Sequence, residues 1–207
     1  MLYQTPKVFI MVKKSLKKIK LGIINSIPFK YNLSSNRLYW CKEKDGRLNF
    51  GDLIGPYLFE KLKEPDIIYS KPKQFTKHAT CVTAGSIMSS VKRNTIVWGT
   101  GIMHNNDVFY KPLRVIAVRG PLTRMRFHEL GYSCPESYGD PGLLLPSFYP
   151  KNKTKEFKIG IVPHFVDLIY FDHFDKKDIL IINVEREVEK VIDDICRCEI
   201  VFSSSLH

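Results

Sequence analysis

Four short polar clusters carry residue types that can do chemistry: Asn49-Phe50-Gly51-Asp52, Gly99-Thr100-Gly101, Arg119-Gly120-Pro121-Leu122-Thr123 and Gly139-Asp140-Pro141-Gly142. Each admits a functional role and a plain one. Asp52 either caps a helix by accepting backbone N–H bonds, a role worth about 1 kcal/mol, or lines a cleft with Asn49, where Gly51 lets a ligand approach the backbone. Gly99 and Gly101 follow the apolar run Thr95-Ile96-Val97 and either present N–H groups to a phosphate or sugar or form an ordinary turn. They do not make a dinucleotide fingerprint, because the third glycine is absent. Arg119 stands just before Pro121, a residue suited to the first turn of a helix. A guanidinium beside a helix N-terminus suits a phosphate or carboxylate; elsewhere it would simply be solvated. Asp140, before a proline, is either a turn residue or a cleft carboxylate.

Two further clusters contain histidine. Pro163-His164-Phe165-Val166-Asp167 is followed by Asp172-His173-Phe174-Asp175, a spacing that matches no tight His/carboxylate motif, so no metal site is expected. If His164 acts, a substrate contact is favoured over a metal. Ser203-Ser204-Ser205-Leu206-His207 comes directly after the apolar Ile200-Val201-Phe202. Ligands of parallel α/β sheets bind at the carboxyl ends of strands, which makes this a natural site loop. Cys196 and Cys198 are expected at a helix end and a strand start; two cysteines cannot complete a structural zinc site.

Positioning such loops requires a scaffold of alternating strands and helices. From Arg37 onward apolar runs alternate with amphipathic stretches, the signature of βαβ units and a mainly parallel sheet. Strands are expected at 38–41, 79–84, 95–98, 115–118, 159–162, 179–183 and 200–202, and helices at 53–63, 121–130 and 184–196. The polar stretch 151–156 reads as a linker between an N-terminal Rossmann-like domain, 37–150, and a second one that begins at 157 and runs to 207. Residues 1–36 read as a basic extension, with Lys13-Lys14-Ser15-Leu16-Lys17-Lys18-Ile19-Lys20 either a solvated segment or an electrostatic foothold on anionic lipid.

The chain has 207 residues, 44% of them hydrophobic, enough for a packed core. Its net charge of +11 favours anionic partners. Nucleic acid is not expected among them, because the aromatics lie within apolar runs and no reading module is recognisable. Five cysteines without paired CxxC spacing, and no apolar leader, point to a reducing cytoplasm, with peripheral attachment at the inner membrane face left open.

In this order the clusters resemble the polysaccharide pyruvyl transferase family. The resemblance runs from about Arg37 to His207 and rests on Asn-Phe-Gly-Asp at 49–52, Arg-Gly-Pro-Leu-Thr at 119–123, Gly-Asp-Pro at 139–141, Ile-Gly-Ile-Val-Pro-His at 159–164 and Ser-Ser-Leu-His at 204–207. It implies two Rossmann-like domains of GT-B type, facing each other across a cleft. It also implies transfer of pyruvate from phosphoenolpyruvate, as a ketal, onto sugar hydroxyls of a surface polysaccharide or lipid-linked oligosaccharide, with no further cofactor. On this mapping Arg119 and His207 hold the anionic donor. His207 would act as donor-site acid or phosphate ligand, and Asp52 as a base toward the acceptor. From the reading of the loops themselves, Asn49, Gly51, Gly99, Gly101 and Asp140 are candidate substrate contacts, and the resemblance favours a substrate contact for His164. Family members continue past the Ser-Leu-His motif, so we expect a C-terminally truncated member with an incomplete second domain. The alternatives are a GT-B glycosyltransferase using a nucleotide sugar, and a non-catalytic remnant that binds anionic surfaces.

Overall fold

The computed structural model describes residues 36–42, 45–62, 66–150, 154–171 and 177–205. The basic run 13–20, the acidic cluster around His173, half of the expected linker and His207 lie outside the described residues.

Two parallel sheets organise the fold. The first has five strands in the order β2-β1-β3-β4-β5: β1 is Arg37–Tyr39, β2 Ile68–Tyr69, β3 Thr80–Val82, β4 Thr95–Trp98 and β5 Arg114–Ala117. The second has three, in the order β7-β6-β8, with β6 at Phe157–Val162, β7 at Ile179–Ile181 and β8 at Cys198–Ser203. All pairings between strands are parallel. The result is a Rossmann-like α/β fold, as the alternation of apolar runs and amphipathic stretches requires.

Helix α1, Phe50–Lys61, follows β1, and its start is set by Asn49, whose side-chain oxygen accepts N–H bonds from Gly51 at 3.0 Å and Asp52 at 3.4 Å. The helix therefore begins three residues before the expected 53, and the capping role weighed for Asp52 belongs to Asn49. Helix α2, Pro121–Glu129, opens with proline at its first position and closes with Arg126 in its last turn, where the helix dipole favours a cation. The one-turn α3, Leu145–Phe148, and a 3-10 turn at Pro141–Leu144 pack against α1. Helix α4, Val188–Cys196, carries a pronounced apolar face and buries Val188 and Val191.

Three apolar clusters hold these elements. Met88, Val91, Val97, Phe109, Val118 and Phe127 form the core of the first sheet on the α2 side. Ile54, Leu58 and Ala84 gather α1 and α3, and Val162, Ile182, Val184 and Val191 gather the second sheet. Phe50 packs against both of the latter clusters. Its N–H donates to the Val184 carbonyl at 2.8 Å, so the start of α1 is fastened to the second sheet. Tyr57 and Lys61 of α1 reinforce this by donating to Glu189 of α4 at 3.1 and 2.8 Å. Among the described residues no helix is long and apolar enough to cross a membrane.

Candidate functional site

Because all five strands of the first sheet run the same way, their carboxyl ends share one edge. Chain order then decides what stands there. After β1 come Trp40 and the start of α1; after β3, Thr83 to Ser86; after β4, Gly99 to Gly101; after β5, Arg119. The polar clusters singled out in the sequence are thus neighbours by topology, although 70 positions separate Asn49 from Arg119.

Arg119 is the best-held side chain of the group. Its Nη1 donates to Ser86 Oγ at 2.7 Å and its Nη2 to the Ile102 carbonyl at 2.8 Å, engaging two of the five guanidinium N–H groups. The guanidinium lies across Gly101: a Cβ built there would stand 2.5 Å from Arg119 Cζ and Nε. Arg119 also precedes the N-terminus of α2, where the helix dipole favours an anion.

The two glycines act differently from the N–H donors they resemble in sequence. Gly99 N–H donates to the Ala117 carbonyl at 2.9 Å and Gly101 N–H to the Gly85 carbonyl at 3.1 Å, so neither amide is presented to a ligand. Gly99 has φ of +89° and lies against Pro141 and the Gly139 carbonyl, where a side chain would collide. One glycine makes room for the Gly-Asp-Pro turn and the other for the arginine. Buried Thr100 between them donates its hydroxyl to the Gly85 carbonyl at 2.7 Å and accepts, through its own carbonyl, the Arg119 N–H at 3.2 Å.

Asp140 adopts its turn role. Its Oδ1 accepts the Gly142 N–H at 2.9 Å and so caps the 3-10 turn at Pro141–Leu144. Asn49, Asp52, Trp40 and Lys42 line a cavity of about 350 Å³ at the end of β1, whereas Gly51 is buried in α1. In the second sheet, the loops after β6 and β8 meet: His164 N–H donates to Ser204 Oγ at 2.7 Å, and His164 Nδ1 accepts the Val166 N–H at 3.4 Å. Among the described residues no cluster of three or more His, Cys, Asp or Glu residues could hold a metal ion. Burial pushes the Cys81 thiol in β3 up to about 12, which removes it as a nucleophile at neutral pH.

Ser86 is the site residue that sequence reading missed. Nothing in Ala84-Gly85-Ser86 marks it out, since its importance comes from a partner 33 positions away. Ser86 also opens a match to a family model: residues 86–207, more than half of the chain, match Polysaccharide pyruvyl transferase. The chain belongs to the polysaccharide pyruvyl transferase family. The matched segment contains the glycine pair, Arg119, the Gly-Asp-Pro turn, His164 and the Ser-Leu-His stretch, whereas Asn49 to Asp52 precede it. A curated relative, uncharacterized protein L143 of Acanthamoeba polyphaga mimivirus, is 27% identical over 169 residues. That alignment covers 77% of this chain and 58% of the relative, so the pyruvyl transferase family member described here spans little more than half of the viral protein's length. No solved structure matches the chain.

Proposed function

We propose that the protein transfers pyruvate from phosphoenolpyruvate onto a glycan, with Arg119 binding the anionic donor. The observation that carries this is the clamped guanidinium at the carboxyl edge of the sheet, laid over Gly101 and fixed by Ser86 and Ile102. A donor with a phosphate and a carboxylate needs a cation whose orientation is settled before binding, and arginine offers paired N–H groups that match both anions.

The chemistry is a two-step addition and displacement. One sugar hydroxyl adds to C2 of the enol while its proton, through an acid, reaches the methylene carbon, which becomes methyl. A second hydroxyl of the same sugar then attacks C2, the C2–O bond to phosphate breaks, and the second proton leaves with inorganic phosphate. A histidine titrating near neutrality suits the proton delivery or the phosphate contact, and His207 is assigned that part. Asp52 accepts a proton from the acceptor hydroxyl, and His164, beside Ser204, contacts substrate from the second sheet. A GT-B arrangement, with the carboxyl edges of the two sheets facing a common cleft, completes the proposal. The hydrogen bond from Phe50 to Val184 supports it, since it joins the loop after β7 to the start of α1.

The test is phosphate release that depends on both phosphoenolpyruvate and a glycan acceptor. Release is expected from the full-length protein and is expected to fall at least about a hundredfold in Arg119→Ala and His207→Ala, the scale of losing a general acid or a charge-stabilising donor. Release undiminished in both variants, or thermal protection by a nucleotide sugar and none by phosphoenolpyruvate, would overturn it.

A further inference from the structure

The cavity at the end of β1 has an aromatic wall and a mixed-charge rim that the donor chemistry does not use. It is lined by Trp40, Lys42, Arg47, Asn49 and Asp52, and its volume of about 350 Å³ lies within the range of small-ligand pockets, roughly 300–1,000 Å³. The indole is held from outside: Tyr69 of β2 meets it edge-on with ring centroids 4.8 Å apart. Lys42 Nζ lies 4.8 Å from the Trp40 ring centroid and 4.1 Å from that of Tyr69, so two rings pin one ammonium at the cavity wall.

Charge argues against a second anion site here. Arg47 is met by Asp45 at 2.7 Å and by Glu185 at 3.1 Å. Among the described residues that line the cavity, Lys42 and Asp52 are the other two charges, of opposite sign. A phosphate would gain little, whereas a neutral polyol can accept from the pinned ammonium and donate to the Asp52 carboxylate. A pyranose also presents a flat C–H face, which needs an apolar plane to lie on, and an indole supplies one.

We infer that this cavity is a carbohydrate subsite, in which a pyranose ring lies against Trp40 and its hydroxyls meet Lys42 and Asp52. Its assignment to the acceptor glycan rests on the pyruvyl-transfer reading, but sugar binding there does not. Trp40 is a positioning residue for the acceptor, and its side chain takes no part in proton transfer.

The experiment is saturation-transfer NMR on the full chain with methyl glucoside, methyl galactoside and methyl mannoside, without phosphoenolpyruvate. Saturation is expected on ring C–H protons of at least one glycoside. Trp40→Phe should retain it, and Trp40→Ala should weaken binding about tenfold, the scale of one aromatic contact. Because the chain holds two tryptophans, Trp98→Phe leaves Trp40 as its sole indole, and a saturable change in its emission should give the same affinity. No saturation with any of the three glycosides, or equal saturation in Trp40→Ala, would overturn the subsite. Sugar binding without phosphate release would instead sink the transfer reading and leave the subsite standing. Phosphate release from an acceptor whose binding ignores Trp40 would do the reverse.

Discussion

At the scale of the residue, the informative pair is Gly101 and Arg119. In sequence they belong to separate motifs; in space one is the floor on which the other lies. Gly101→Ala should therefore behave like Arg119→Ala toward phosphoenolpyruvate while leaving the fold intact, because the displaced group is a flexible side chain. The measurement is thermal protection by phosphoenolpyruvate, expected to vanish in Gly101→Ala with the unliganded melting temperature nearly unchanged. Gly99→Ala is expected to do the opposite and lower the melting temperature. Its positive φ and the proximity of Pro141 leave no relaxed place for a Cβ, and such substitutions cost on the order of 1 kcal/mol or more. Both glycines stood out in the sequence, either as N–H donors to a phosphate or sugar or as an ordinary turn. A sequence cannot say where an amide points, and here both amides are consumed by the Ala117 and Gly85 carbonyls.

Elements with strong local signals were legible, and those shaped by distant contacts were not. β4 occupies 95–98 as its apolar run predicts, and α2 starts at Pro121 because proline selects that position. β2 escaped notice because only Ile68 and Tyr69 join the sheet, and two residues carry no periodicity. The start of α1 was misplaced because Asn49 and Asp52 are both good capping residues and only geometry separates them. Asn49→Ala should lower stability by about 1 kcal/mol in denaturant titration, whereas the same change at Asp52 should cost less of the helix. The polar contact between α1 and α4 makes a second prediction at this scale. The hydrogen bond from Lys61 holds the Glu189 carboxyl below the usual carboxylate range, and the same partnership raises the Lys61 pKa. A depressed carboxylate stabilises the fold above its unfolded pKa, and that contribution is lost as pH falls through the folded value. A raised lysine stabilises below its unfolded pKa and loses that contribution as pH rises through the folded value. The contact is strongest between those limits. Glu189→Gln should flatten the acid limb of the stability profile, read from thermal unfolding between pH 3 and 7, taken as roughly the span over which a carboxylate titrates.

For the whole molecule, the renewed strand pattern expected at 159–162 was readable, as β6 at Phe157–Val162 bears out, and it belongs to a second parallel sheet. Among the described residues β8 is an edge strand, and Ile200 and Phe202 are 56% and 59% exposed. An unpaired apolar edge is a template for association between chains. Phe202→Lys should reduce concentration-dependent light scattering without lowering the melting temperature. Unchanged scattering would remove β8 as the adhesive surface.

Phe50 gives the two sheets a common packing residue. It packs into both the α1 cluster and the second-sheet cluster, and its amide is tied to Val184, one residue from the Asn49 that lines the β1 cavity. On the proposed function, a ligand that shifts the second sheet is therefore expected to shift the cavity wall with it. Donor and acceptor affinities are then joined through Phe50 together with the contacts of Tyr57 and Lys61 to Glu189 and of Arg47 to Glu185, and a substitution at Phe50 is expected to weaken that coupling.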